Sequence, residues 1–183
     1  MRKNILLVSA LVIIMLSAFT FLIGNGWAVD PKNVKIKFAL AENKHQLSFS
    51  DINAELRFDP TDLKNSEMVT RINVNSLQTD DPGLTKHLLT ADFFDAEKFP
   101  QIKFITTRIE KAEVGYTAYG ALAMKDSVHR ITLPFTFDQN GNEGVFKGNF
   151  SILCSEYGVM QKSKSGADKV IISLEIAVSK IKE

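Results

Sequence analysis

The sequence predicts an all-β domain of eight antiparallel strands, and three observations carry that prediction. After residue 29, apolar and polar residues alternate with period two in eight separate runs. Clusters of turn-forming residues divide several of these runs. The single cysteine, Cys154, allows no intrachain disulfide, so the fold must rest on its apolar core. Strand edges have to be covered or eliminated, which leaves a stacked sandwich or a closed barrel. With 183 residues, 45% of them apolar and thirteen of them phenylalanine, the chain fills one domain well and cannot fill two.

At the N-terminus, Arg2 and Lys3 precede an uncharged run from Ile5 to Ile23. This reads as an export signal over residues 1–28, with Gly26 and Ala28 at the small-residue positions of a cut after Ala28. The alternative is an uncleaved anchor, since the nineteen residues 5–23 would span roughly 28 Å as a helix and could associate with a membrane. Either way the domain, residues 29–183, is expected outside the cytoplasm, periplasmic or secreted.

The strands follow in order. In "VKIKFAL" Val34, Ile36, Phe38 and Leu40 oppose Lys35 and Lys37, and in "INAELRFD" Ile52, Ala54, Leu56 and Phe58 oppose Asn53, Glu55 and Arg57. The pattern recurs in "SEMVTRINVN", "QIKFITTRIE", "VGYTAYGALAM", "SVHRITLPFTFD", "GVFKGNFSILC" and "KVIISLEIAVSKI". The turn signals are "DPTDLKNS", "KDS" and "DQNGNEG". "QIKFITTRI" and "VGYTAYGALAM" carry apolar atoms on both faces, which predicts a helix or lipid against their outer side. Cys154 closes the seventh run and reads as a buried, inert thiol.

Between the third and fourth runs lies an insertion, "HLLTADFFDAEKFP", too irregular for a strand and too short for a long helix. Leu84, His87, Leu88, Ala91 and Phe94 fall near one helical face, and Pro82 and Pro100 punctuate the ends. A short amphipathic helix around residues 84–95, followed by a phenylalanine-rich loop, would fold over the mouth of a barrel.

Twenty-two basic and 21 acidic residues are spread without a run of like charge, which argues against nucleic acid as a partner. His45, His87 and His129 show no metal-ligand spacing, and no nucleophile elbow is present, so neither a metal site nor catalytic residues are assigned. His129 shares the alternating face of Ile131, Leu133, Phe135 and Phe137 and could meet a polar ligand head near a barrel end. Arg108, Lys86 and Arg130 could pair with an anionic head, though each also reads as solvated surface.

Several motifs together resemble the YceI-like polyisoprenoid-binding proteins: Phe58-Asp59-Pro60, Ser76-Leu77-Gln78-Thr79, His87-Leu88, Asp92-Phe93-Phe94-Asp95 and Phe99-Pro100-Gln101-Ile102-Lys103-Phe104. "YGALAMKDSVHRITLPFTF" and "FKGNFSILCSEYGV" are similar to that family's hairpin and closing element. The resemblance implies an eight-stranded antiparallel lipocalin-like barrel, exported and non-enzymatic, that binds a hydrophobic lipid, with an isoprenoid chain (polyprenyl or quinone) in its lumen and no other cofactor. With alternation setting the inward face, the candidate ligand-binding residues are Ile36, Phe38, Leu56, Phe58, Ile72, Val74, Phe104, His129, Leu133, Phe135, Phe146, Phe150, Ile172, Leu174 and Ile176. Two alternatives stay open: an enzyme of lipid or quinone metabolism using a barrel-mouth histidine, His129 or His87, and a filled barrel acting as a stress-response interaction module. The sequence does not fix the oligomeric state; a homodimer is one option.

Overall fold

In a computed structural model that describes residues 26–40 and 46–181, ten strands form one sheet: β1 (Gly26–Leu40), β2 (Gln46–Phe49), β3 (Ile52–Arg57), β4 (Glu67–Asn73), β5 (Leu77–Thr79), β6 (Gln101–Lys111), β7 (Tyr116–Met124), β8 (Ser127–Asn140), β9 (Glu143–Leu153) and β10 (Lys169–Lys180). One helix, α1 (Pro82–Leu88), interrupts them. Eight strands are the staves of a closed antiparallel barrel, in the cyclic order β1, β3, β4, β6, β7, β8, β9, β10. Closure comes from β1 lying against β10, with Phe38 opposite Ile172 and Ile36 opposite Leu174. Between the barrel and the sandwich that periodicity alone left open, the barrel is the answer. The short β2 and β5 continue the lines of β3 and β4 past a bend and a 3-10 turn at Val74–Ser76, and pair with each other at the barrel's upper end.

Alternation becomes burial most cleanly in β7, where Tyr116, Ala118, Gly120, Leu122 and Met124 point inward and the residues between them are half-exposed. Gly120 is required there. A Cβ at that position would lie 2.5 Å from the ring of Phe104 and 2.5 Å from the carbonyl oxygen of Ile105, so the inner face narrows to let an aromatic ring cross the lumen. Among the described residues no helix covers the outer face of β6 and β7. Its apolar content is Ile105 and small side chains, and Tyr119 is shielded by Arg108, whose guanidinium carbon sits 3.7 Å from the ring centre.

The first strand, expected from Val34, begins at Gly26 and so runs through the expected Ala28–Val29 boundary. A bulge between Val29 and Val34 spans Pro31, which cannot donate to a ladder, and the alternation is lost over the same stretch. Trp27, ahead of the bulge, is 4% exposed, and its indole Nε1 donates to the Phe58 carbonyl at 2.9 Å.

The helix of the insertion is shorter than expected. Asp81 caps it by accepting from the Gly83 amide at 2.7 Å, and Pro82 occupies its first turn. Thr90 ends it, donating from Oγ1 to the His87 carbonyl at 2.7 Å. Turns carry the chain onward, with Asp95 at φ 50°, and seat Leu88, Phe94 and Ala96 in the core.

Candidate functional site

The lumen is divided along its axis. Its lower part is filled by rings: Phe58, 1% exposed, stands at ring-centre distances of 5.0 Å from Tyr116, 5.1 Å from Phe137 and 5.5 Å from both Phe135 and Phe146, all near edge-on. Trp27 adds a sixth ring, 5.0 Å from Phe137. These positions cluster where β1, β4, β7 and β9 begin and β3 and β8 end, which is one end of the barrel. That end is closed.

Above the rings lies a cavity of about 150 Å³. Its wall comes from β1 (Ile36, Phe38), β4 (Thr70, Ile72), β6 (Ile102, Phe104), β7 (Leu122, Met124), β8 (Ile131, Leu133), β9 (Phe150, Ile152) and β10 (Val170, Ile172, Leu174, Ile176). Its upper cover comes from outside the barrel: Leu47 and Phe49 of β2, Leu88 and Phe94 of the insertion, and Cys154, Val159 and Met160 of the segment after β9. Phe49 bridges these parts edge-on, 5.2 Å from Phe38 and 6.3 Å from Phe94. Phe94 packs where the resemblance to an Asp-Phe-Phe-Asp element placed a capping loop.

The cover is tied to the rim. Lys125, in the two-residue turn between β7 and β8 at φ 53°, donates from Nζ to the carbonyls of Phe93 at 2.6 Å and Gly158 at 2.9 Å. Asp168, 2% exposed, accepts from the Ser155 hydroxyl at 2.5 Å, and its carbonyl accepts from the Cys154 amide at 2.8 Å. The Ser155 hydrogen bond holds the Asp168 carboxyl below the ordinary carboxylate range.

Among the described residues that line the cavity, the only ionisable group is the Cys154 thiol. Burial, and secondarily the charge on Asp168, pushes it up to about 12, so it stays protonated and unreactive at neutral pH. A space so lined offers a guest contact and exclusion of water, with no charge to neutralise a charged head.

Nine of the fifteen predicted positions face this cavity: Ile36, Phe38, Ile72, Phe104, Leu133, Phe150, Ile172, Leu174 and Ile176. Phe58, Phe135 and Phe146 lie in the ring-filled end instead, and Leu56 and Val74 are buried away from the cavity. His129 is at the rim with Nε2 2.9 Å from the Glu156 carbonyl, its ring edge-on to Tyr157 at 4.9 Å. His87 is exposed on the insertion, against Phe93 at 4.6 Å. Arg108 faces outward, paired with Glu110 at 2.7 Å, and Lys86 and Arg130 are exposed. His45 lies outside the described residues. The reading missed Ile102, Ile131, Ile152 and Val170, although each alternates in phase with a residue it did include, and Leu122 and Met124, on a strand from which it chose none. It also missed Leu47, Phe49, Val159 and Met160, which sit outside the eight recognised runs.

Residues 27–178 match the protein family described as YceI-like domain. Among curated relatives, a UPF0312 protein of Serratia proteamaculans is 28% identical over 136 residues, 70% of this chain and 71% of the relative. The UPF0312 protein YE1254 of Yersinia enterocolitica is 26% identical over 135 residues, 70% of each. Among solved structures, BcnA of Burkholderia cenocepacia superposes with a TM-score of 0.74 at 25% identity, covering 82% of this chain and 99% of that one. A polyisoprenoid-binding domain from Saccharophagus degradans shares the fold at a TM-score of 0.60 and 9% identity, over 85% of this chain and 98% of that one.

Proposed function

The chain belongs to the YceI-like family, and from that premise we propose that it is an exported, non-catalytic carrier that holds the tail of an isoprenoid lipid in the upper half of its barrel. The observation that carries this reading is the apolar cavity of about 150 Å³, closed below by rings and covered above by side chains from three separate segments. The family's structural neighbour described as a polyisoprenoid-binding domain supports the choice of ligand class.

The size of the cavity sets what it can hold. A dry engineered void of roughly 150 Å³ admits one benzene ring, so one five-carbon isoprene unit fits without rearrangement. Burying that unit contributes about 4 kcal/mol gross, at roughly 0.8 kcal/mol per carbon unit, before losses from ordering. Further units require the cover to yield, and Met124 and Met160, unbranched and adaptable, are suited to that. The polar head then stays at or outside the rim.

The test is solvent extraction of the protein purified from its own host, followed by mass spectrometry. A recurrent prenyl lipid near one-to-one with protein is the expected result. Protein that yields no lipid of this class overturns the carrier reading and leaves the barrel as an interaction module.

A further inference from the structure

The barrel wall has a seam. β8 and β9 pair from Asn140 opposite Glu143 to Phe135 opposite Gly148, and there the ladder stops. Both strands continue: β8 runs back to Ser127, held by β7, and β9 runs on to Leu153, held by β10. The next pair in register would be Pro134 with Asn149. The Pro134 carbonyl oxygen lies 3.0 Å from where a Cβ on Gly148 would sit, so the hydrogen-bonding edge of this residue faces β9. In an antiparallel strand the N–H shares that edge, and proline has none to give. Toward β7, where Pro134 stands opposite Thr117, no donor is required of it.

The seam opens on the cavity. Ile131 and Leu133 on one side and Phe150 and Ile152 on the other all line it, and Ile131 and Phe150 remain partly exposed although they point inward. On the outer surface its upper end is flanked by Val128 and Leu153, 65% and 37% exposed, and Arg130 carries the one fixed charge along it. Among the described residues, β1 and β3 pair at Gly26 and Trp27, which leaves a second gap in the described ladder. That second gap is bordered outside by exposed Lys35, Lys37, Asn53 and Glu55, a rim that disfavours passage of hydrocarbon. Over the top, a guest would have to displace Leu88 and Phe94 and break both Lys125 bonds.

From this geometry we infer that a prenyl tail enters and leaves the lumen sideways, through the seam between β8 and β9, and that Pro134 creates the opening. The inference rests on the carrier reading and adds the route. The ladder between these two half-strands ends at Phe135 and Gly148, so passage through the seam separates no paired residues, and the tail slides between apolar side chains for its whole course.

Thr132 and Ser151 fall opposite one another in the same register and are both exposed, so Thr132→Cys with Ser151→Cys, in a Cys154→Ala background, places one thiol on each lip. Dibromobimane bridges such a pair and becomes fluorescent on doing so. All-trans-retinol, an isoprenoid alcohol, serves as the probe, with loading and release followed by its own fluorescence. The bridged protein should load and release retinol at least about tenfold more slowly than the unbridged double variant, and adding Lys125→Met, which frees the cover, to the bridged protein should not restore those rates. Equal rates with and without the bridge, or rates restored in the bridged protein by Lys125→Met, overturn the lateral route while leaving the carrier reading intact. Failure of the Cys154→Ala parent to bind retinol counts against both. Hydrogen exchange supplies a check independent of ligand and bridge: the amides of Arg130, Thr132, Ser151 and Leu153 should exchange much faster than those of the β6–β7 ladder, and equal protection contradicts the seam.

Discussion

Phe58 organises the closed end. Four other rings lie within 5.5 Å of its own, centre to centre, and its carbonyl takes the Trp27 indole proton. Phe58→Ala should therefore cost about 3–5 kcal/mol, as large aromatic truncations in tight cores do, measured as a shift in the denaturant midpoint at constant slope. Phe150→Ala, half-buried on the cavity wall, should cost clearly less. The contrast marks what was legible at this scale. Alternation assigned Phe58, Phe135 and Phe146 to the inner face, and inward they point, but period two reports the face of a strand and not the height along the barrel axis. Height depends on the tilt and register of neighbouring strands, set by pairings such as Phe135 with Gly148, which no local pattern encodes. His129 shows the same limit: it lies in phase with Ile131 and Leu133, yet at the strand's first turn it reaches the rim and meets the Glu156 carbonyl.

The first strand gives the strongest test at the level of elements. Trp27 and Gly26 stand ahead of the bulge, opposite Leu56 and Arg57, and the Gly26 carbonyl accepts from the Ile181 amide at 3.1 Å. A chain begun at Val29 loses the indole, its hydrogen bond and these pairings, and should be destabilised by about 3–5 kcal/mol relative to one begun at Gly26. The mature protein's N-terminus, read by mass spectrometry, is accordingly expected at or before Gly26; a start at Val29 contradicts the role given to Trp27. The proline in "DPKN" hid this part of the strand from a periodicity reading, because the bulge that accommodates it shifts the phase. The segment after β9 makes a second prediction. The Asp168 carboxyl has its pKa lowered by the Ser155 hydroxyl, so its contribution is fully present above the ordinary carboxylate pKa and is lost as pH falls through the lowered, folded value. Wild-type stability should drop on strong acidification, and Asp168→Asn should lower neutral stability while flattening that acid limb in pH-dependent denaturation.

For the whole molecule, the all-β class, the eight staves and the position of the covering insertion were readable from alternation, turn residues and family motifs, because each is a local or near-local signal. Division of the lumen into a filled and an open half was not, since it arises from six rings, on four strands and just past the end of β3, meeting at one level. That division is the account's central feature: the rings supply stability, which frees the upper half to stay hollow. Filling the hollow should therefore remove the guest without unfolding the barrel. Ile172 lies on the cavity wall, and Ile172→Phe adds a ring to a space already empty, so any overpacking should stay below the roughly 1–3 kcal/mol seen in filled cores. The decisive measurement is the amount of prenyl lipid extracted from equal quantities of wild-type and Ile172→Phe protein made in the same host, with thermal unfolding of both as control. A near-stoichiometric lipid in wild type that falls several-fold in an equally folded variant is the predicted result, and equal lipid in the two proteins contradicts it.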